Sequence, residues 1–194
     1  MQAVRAAAVH SKPPVMPAEI LAVQQVPITG ETMPGSLQES PGQPGPPGAP
    51  GADEAWLARA VALAGQCPPS ATAFSVGAVV VAAGGSLLTT GFSRETGPAD
   101  HAEEAALAKL SGAVPAGATL YSSLEPCAAR ASHPRPCAEL IIAAGLRRVV
   151  IAWREPPLFV PGGGAAVLRA AGVEVTEIPA LAAAARALNA HLLR

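Results

Sequence analysis

The chain has 194 residues, half of them apolar, 14 % charged, and a net charge of −1. That supplies enough apolar material for one packed domain, and the near-neutral balance excludes the broad positive field on which nucleic-acid binding depends. Aromatic residues are only 3 % of the total, so a core has to be built from Ala, Val, Leu and Ile.

Residues 1–52 are expected to form a disordered tail rich in Pro and Gly, ending in GQPGPPGAPGA. Gly42, Gly45, Gly48 and Gly51 recur with the collagen period, but so few triplets cannot hold a triple helix. A folded domain is expected over 53–194. DEAWLARAVALAG predicts a helix with Asp53 as N-cap, and SVGAVVVAAGGSLLTTGFS predicts two strands joined at Gly84-Gly85. ADHAEEAALAKLSG reads as a helix and ATLYSSL as a strand. CAELIIAAG reads as a helix stopped by Gly145, followed by the strand RRVVIAW. GGGAAVLRAAG, VEVTEI and LAAAARALNAHLL predict a further helix, a strand and a closing helix. Alternation of this kind implies crossover connections, and the initial hairpin makes the sheet mixed: five strands with helices on both faces.

Three cysteines leave one over in any disulfide scheme. No apolar run reaches membrane-spanning length, and the N-terminus lacks a secretory layout, so reduced thiols in the cytoplasm are expected. Cys127 and Cys137 each follow a proline where a strand or loop gives way to a helix, and His101 opens another helix. One imidazole and two thiolates are a donor set for a catalytic zinc, which takes three protein ligands and keeps one position open for water. Helix N-termini favour thiolate over thiol. Glu103 then moves the protons that the metal cannot. Each residue also has a plainer reading. Asp100-x-x-Glu103 fits a capping-box variant, His101 fits a surface helix, and the two cysteines fit a disulfide. Glu125 fits either a local cap or a contact to the floor of a ring pocket. His133, four residues before Cys137, fits a surface loop, a substrate contact or a rival ligand. Cys67 is expected to be a small packing residue.

The succession of VGAVVV, HAEEAAL, ATLYSSLEPC and CAELIIAAGLRRVVIA resembles the cytidine/deoxycytidylate deaminase superfamily from about residue 53 to 194. Within it, the chain looks most like the deaminase domain of the bifunctional riboflavin-biosynthesis deaminase/reductase, which widens the cysteine spacing with a proline-rich insert. The resemblance implies a three-layer α/β/α fold and one Zn2+ per chain on His101, Cys127 and Cys137. It further implies Glu103 as proton shuttle and assembly as a dimer or higher oligomer. The sequence departs from that group at three places. The insert AARASHPRP replaces Gly-Arg-Thr-Pro-Pro, Ala73-Phe74 replaces Asn-Pro, and Ala105 replaces an Asn. Phe74 through Ala78 looks more like free cytidine deaminases, in which the Phe lies against the base. No reductase half is expected after Arg194.

The expected function is hydrolytic release of ammonia from a small pyrimidine or nucleobase, foremost a phosphoribosyl-aminopyrimidine of riboflavin synthesis. A cytosine, cytidine, (d)CMP or secondary-metabolite base is the alternative substrate. A non-catalytic zinc module, with His133 closing the site, and a tail-driven interaction protein are the alternatives of other classes.

Overall fold

The computed structural model describes residues 42–131, 133–156, 158 and 163–193. The expectation of a disordered tail falls, for 1–41, outside the described residues. Residues 42–52 are placed against the domain. Trp56 Nε1 donates to Gly45 O at 2.9 Å, and Ala49 packs on the core. Positive φ at Gly48 and Gly51, 84° and 74°, turns this segment into successive bends.

The elements follow the predicted order. They are α1 (Ala52–Ala64), β1 (Gly77–Val81), β2 (Leu87–Phe92), α2 (Ala102–Ala108), β3 (Thr119–Ser122), α3 (Cys137–Ala143), β4 (Arg148–Ile151), α4 (Gly164–Ala170), β5 (Glu174–Glu177) and α5 (Ala182–Ala187). The five strands form one sheet in the order β2-β1-β3-β4-β5. β1 is antiparallel to both β2 and β3, while β3, β4 and β5 run parallel. β1 is buried along its whole length, whereas β5, an edge strand reading EVTE, is exposed or half-buried throughout, as position in the sheet requires. Gly145 and Gly172, both at φ 79°, supply the left-handed turns that end α3 and α4.

Neighbouring residues on a strand face opposite ways. A Cβ on Gly77 would stand 2.2 Å from Ala60 O in α1. A Cβ on Gly91, which pairs with Ala78, would stand 2.4 Å from Ala102 O in α2. These glycines let the helices touch the sheet directly, α1 on one face and α2 on the other. α3 packs on α2 and α4, and α5 on α1, giving three layers. Trp56, Leu57 and Ala60 of α1 are fully buried against Val79, Val81 and Tyr121.

Two expectations are corrected. Asp53 does not cap α1, whose N-cap is Gly51; its carboxylate instead takes a two-pronged ion pair from Arg148, at 2.9 and 2.8 Å, and the Tyr121 hydroxyl at 2.7 Å. The closing helix is short, with 3-10 turns at Pro179–Leu181 and Ala190–Leu192 on either side of α5. Proline at 179 begins the first turn, and the chain kinks at Asn189, whose side chain is drawn inward.

Candidate metal centre and pocket

Three segments converge at the carboxyl ends of the parallel strands, where open α/β sheets form ligand crevices; Cys127, expected where a helix begins, lies instead in a loop. His101 is the N-cap residue of α2 in extended conformation, Cys127 lies in the loop after β3, and Cys137 is the first residue of α3. Each of these three residues offers a ligand atom within 4.8 Å of the others. His101 Nδ1 is 3.6 Å from Cys127 Sγ and 3.4 Å from Cys137 Sγ. The cysteines are free thiols, so the disulfide reading falls. The Cys127 turn is fixed by Cys137 N donating to its sulfur at 3.3 Å and Ala138 N donating to its carbonyl at 3.1 Å. The start of α4 presses on the same turn. A Cβ on Gly164 would lie 1.7 Å from Pro126 O, so a glycine is required there.

The sulfurs differ in charge. Hydrogen bonding from Cys137, with help from the His101 ring and the Cys137 backbone N–H, holds the Cys127 thiol well below its ordinary value. Cys137 is pushed up by that shared bond, by burial and by the nearby Glu103. Two sulfurs and one imidazole around a common point, one sulfur already disposed to ionise, are a donor set that fits Zn2+.

Glu103 sits in the first turn of α2 and is 3 % exposed. The capping-box reading fails, because α2 begins at His101 and carries no side-chain cap. The Asp100 carboxylate turns instead to the backbone N–H and hydroxyl of Thr96. Glu103 Oε1 accepts the Ser122 hydroxyl at 2.7 Å from the end of β3. Burial pushes the Glu103 carboxyl up, against the opposing pull of His101 and of the Ser122 hydroxyl.

A cavity of about 320 Å³ opens in front of this cluster, lined among others by Phe74, His101, Glu103, Leu124, Cys127 and Glu155. Phe74 meets Trp153 edge-on, with ring centroids 5.9 Å apart at 81°. Glu125 also lines the cavity, yet its oxygens accept Ala165 N at 2.8 Å and Glu155 N at 3.1 Å. It therefore secures the first turn of α4 and the strand-end loop rather than offering a free acceptor. His133 stands 3.5 Å from Glu104 Oε1, in a second group with Asp100, and is not one of the three converging donors. Arg130 already pairs with Glu104 at 2.9 Å. The Cys67 thiol donates to Val76 O.

Ser122, Trp153 and Glu155 were not singled out from the sequence. Glu155 Oε2 is buried with no hydrogen-bond partner among the described residues, and burial, then the charges of Cys127, Glu103 and Glu125, push this carboxyl up to about 8. The available signal was positional: Trp153 and Glu155 follow the carboxyl end of a parallel strand, where ligand contacts gather.

Residues 50–153 match the family model for the cytidine and deoxycytidylate deaminase zinc-binding region. The chain belongs to this family. Over 128 residues it is 38 % identical to the diaminohydroxyphosphoribosylamino-pyrimidine deaminase of Schizosaccharomyces pombe, a stretch that is 64 % of this chain and 31 % of that one. It is 41 % identical over 115 residues to the riboflavin biosynthesis protein RibD of Aquifex aeolicus, covering 59 % of this chain and 31 % of the relative. The solved RibD of Acinetobacter baumannii superposes with a TM-score of 0.62 at 35 % identity, over 73 % of this chain and 39 % of that one. The chain thus spans 31 % of the length of these two curated relatives. Family membership and these neighbours accord with the five-stranded mixed sheet of a cytidine deaminase-like fold. No described helix is long and apolar enough to cross a membrane.

Proposed function

We propose that the chain is a zinc-dependent hydrolytic deaminase that releases ammonia from a phosphoribosyl-aminopyrimidine of riboflavin biosynthesis. The observation that carries this reading is the convergence of His101, Cys127 and Cys137 beside a buried carboxylate, Glu103, at the floor of a cavity sized for a heterocycle. His101, Cys127 and Cys137 would hold one Zn2+, which when bound acidifies water so that it can act as a nucleophile at neutral pH. The net change is water plus an amino-heterocycle giving the oxo-heterocycle and ammonia.

The protein's own groups then have distinct tasks. The Glu103 carboxylate, fixed at Oε1 by Ser122, takes a proton from the attacking water. It delivers that proton to the ring nitrogen, then takes the second from the added hydroxyl and passes it to the departing amine. Phe74, backed by Trp153, walls the flat ring and excludes bulk water. The unpartnered Glu155 Oε2 accepts an N–H of the ring or of its amino substituents. A buried acceptor left unmatched by the wrong base costs that base affinity, which is how such a group selects. Cytoplasmic placement and assembly as a dimer or higher oligomer complete the reading and rest on the resemblance. So does a domain boundary near residue 53.

Phe74 supports a second reading, a cytosine-type base, since it stands where the sequence resembles free cytidine deaminases. The test is ammonia release by the purified, zinc-loaded chain. The diaminohydroxyphosphoribosylamino-pyrimidine is compared with cytidine, CMP, dCMP and free cytosine. Turnover of the first alone supports the proposal; turnover of only the cytosine compounds replaces it with the second reading. No turnover, with zinc bound, leaves a non-catalytic module.

A further inference from the structure

Arg94 is the one non-glycine among the described residues with a left-handed backbone, at φ 63°. Such a conformation is strained and persists where surrounding contacts over-determine it. The contacts here are unusually complete. Nε and Nη2 donate to Pro68 O at 2.9 and 2.7 Å. Nη1 donates to Phe74 O at 3.0 Å and to Ala73 O at 3.5 Å, and Nη2 also donates to Ser75 Oγ at 3.0 Å. A guanidinium has five N–H donors, and these bonds use them all. An arginine beside a cavity would ordinarily suggest an anion site, but this one has no donor left for a ligand.

The bonds join two segments that the pocket needs in register. Arg94 N donates to Asp100 O at 2.9 Å, one residue before His101. Its side chain grips the 68–75 loop that carries Phe74. Next door, Ser93 Oγ accepts Val76 N at 3.2 Å, and Ser93 N donates to Val76 O at 2.9 Å. From the opposite side, the buried Asn189 accepts Ser75 N at 2.7 Å and donates to Ser75 O at 3.0 Å. Arg186 lies 5.0 Å over the Trp153 ring, against whose edge Phe74 rests.

We propose that Arg94 is a positioning residue that fixes the Phe74 wall relative to His101 and Glu103, with Asn189 as the opposing clamp. The distance between the ring-binding wall and the metal-binding turn is then set by a side chain that lines the cavity but spends all its donors within the protein. This rests on the deaminase reading for its kinetic consequence, but not for its structural one.

The experiment uses the full zinc-loaded chain as wild type, Arg94→Ala and Arg94→Lys. Amide hydrogen exchange at Ser75 and Val76 should accelerate about tenfold or more in both variants, with the β3 and β4 amides and the zinc content unchanged. With the diaminohydroxyphosphoribosylamino-pyrimidine as probe, KM should rise about tenfold while kcat stays within about threefold. Lysine should not rescue either readout, because one ammonium cannot reproduce a five-donor fork. Unchanged exchange overturns the proposal, as does restoration by lysine or a loss of activity explained by lost zinc or lost fold. Looser amides with an unmoved KM also overturn it. If the wild type releases no ammonia from any base, the deaminase reading fails, and the exchange measurement still decides whether Arg94 holds the wall.

Discussion

Ser122, the last residue of β3, hydrogen-bonds Glu103 in the first turn of α2 at 2.7 Å, across the buried interface between sheet and helix. Pairing of Ala78 with both Gly91 and Ser122 puts Ser122 on the face of the sheet that α2 covers. The bond fixes one carboxylate oxygen and leaves the group beside the candidate metal-binding turn. Glu103→Gln should keep zinc and fold while ammonia release falls about 10²–10⁴-fold, the range for loss of a general acid–base. Ser122→Ala should fall by less, about tenfold, because the carboxylate remains but its orientation loosens. Steady-state rates with zinc content measured on the same samples check both. Wild-type rates in Glu103→Gln would remove it from the chemistry.

Cys137 is fully buried and supplies both a sulfur and the backbone N–H that holds Cys127. Metal binding at such a site is linked to folding. Zinc at 100 times its dissociation constant adds about 2.7 kcal/mol to stability. Chelator treatment of the wild type should therefore lower Tm, and restored zinc should bring it back. Cys137→Ser should bind less than stoichiometric zinc by elemental analysis and should show no zinc-dependent gain in Tm. An equal Tm gain in the variant would mean that the metal sits elsewhere.

Much of this architecture is written locally in the chain. α1 carries Trp56, Leu57, Ala60, Val61 and Ala64 on one helical face, and every one is buried. Gly145 and Gly172 mark helix ends because left-handed backbone suits glycine. The three proposed metal donors are legible because each stands at the start of a helix or in a Pro-Cys turn, where local signals are strongest. What was not legible depends on pairing between distant segments. Asp53 precedes an apolar helix, as a cap would, but its partner Arg148 is 95 residues away. Ser122 looked like an ordinary strand residue until β3 was placed against β1, and Glu155 became a pocket residue only through the parallel pairing of β3 and β4.

Asp53 illustrates the energetic consequence. Hydrogen bonding from Arg148 chiefly, with Tyr121 and the Gly48 N–H, holds its carboxyl down to about 2 against an ordinary 3.8. A depressed carboxyl contributes stability that is present above its unfolded value and lost as pH falls through the folded one. The wild type should lose this contribution between about pH 4 and pH 2. Asp53→Asn should be less stable at pH 7 by about 1.5–3 kcal/mol, the worth of hydrogen bonds to a charged group. Its stability should also fall less steeply on acidification. Urea titrations at pH 7 and pH 3 read both quantities, and parallel curves for the two proteins would contradict the assignment.

Glu155 has the opposite sign. Its folded carboxyl is pushed up from 4.5 to about 8, chiefly by burial, so between those values the folded state holds a proton that the unfolded state has released. Stability from this residue is full below about pH 4.5 and declines as pH rises toward 8, because ionising the buried group is unfavourable. Glu155→Gln cannot ionise and should escape that decline. The difference in Tm between variant and wild type should therefore grow in favour of the variant from pH 5 to pH 8. The amide keeps one carbonyl acceptor, so KM should change little in Glu155→Gln, whereas Glu155→Leu, which leaves no acceptor for the substrate N–H, should raise KM at every pH. An unaltered KM in Glu155→Leu would leave Glu155 as a buried carboxyl with no part in binding. If the Tm difference is also independent of pH, the carboxyl is exposed to solvent and its proposed role in the pocket falls.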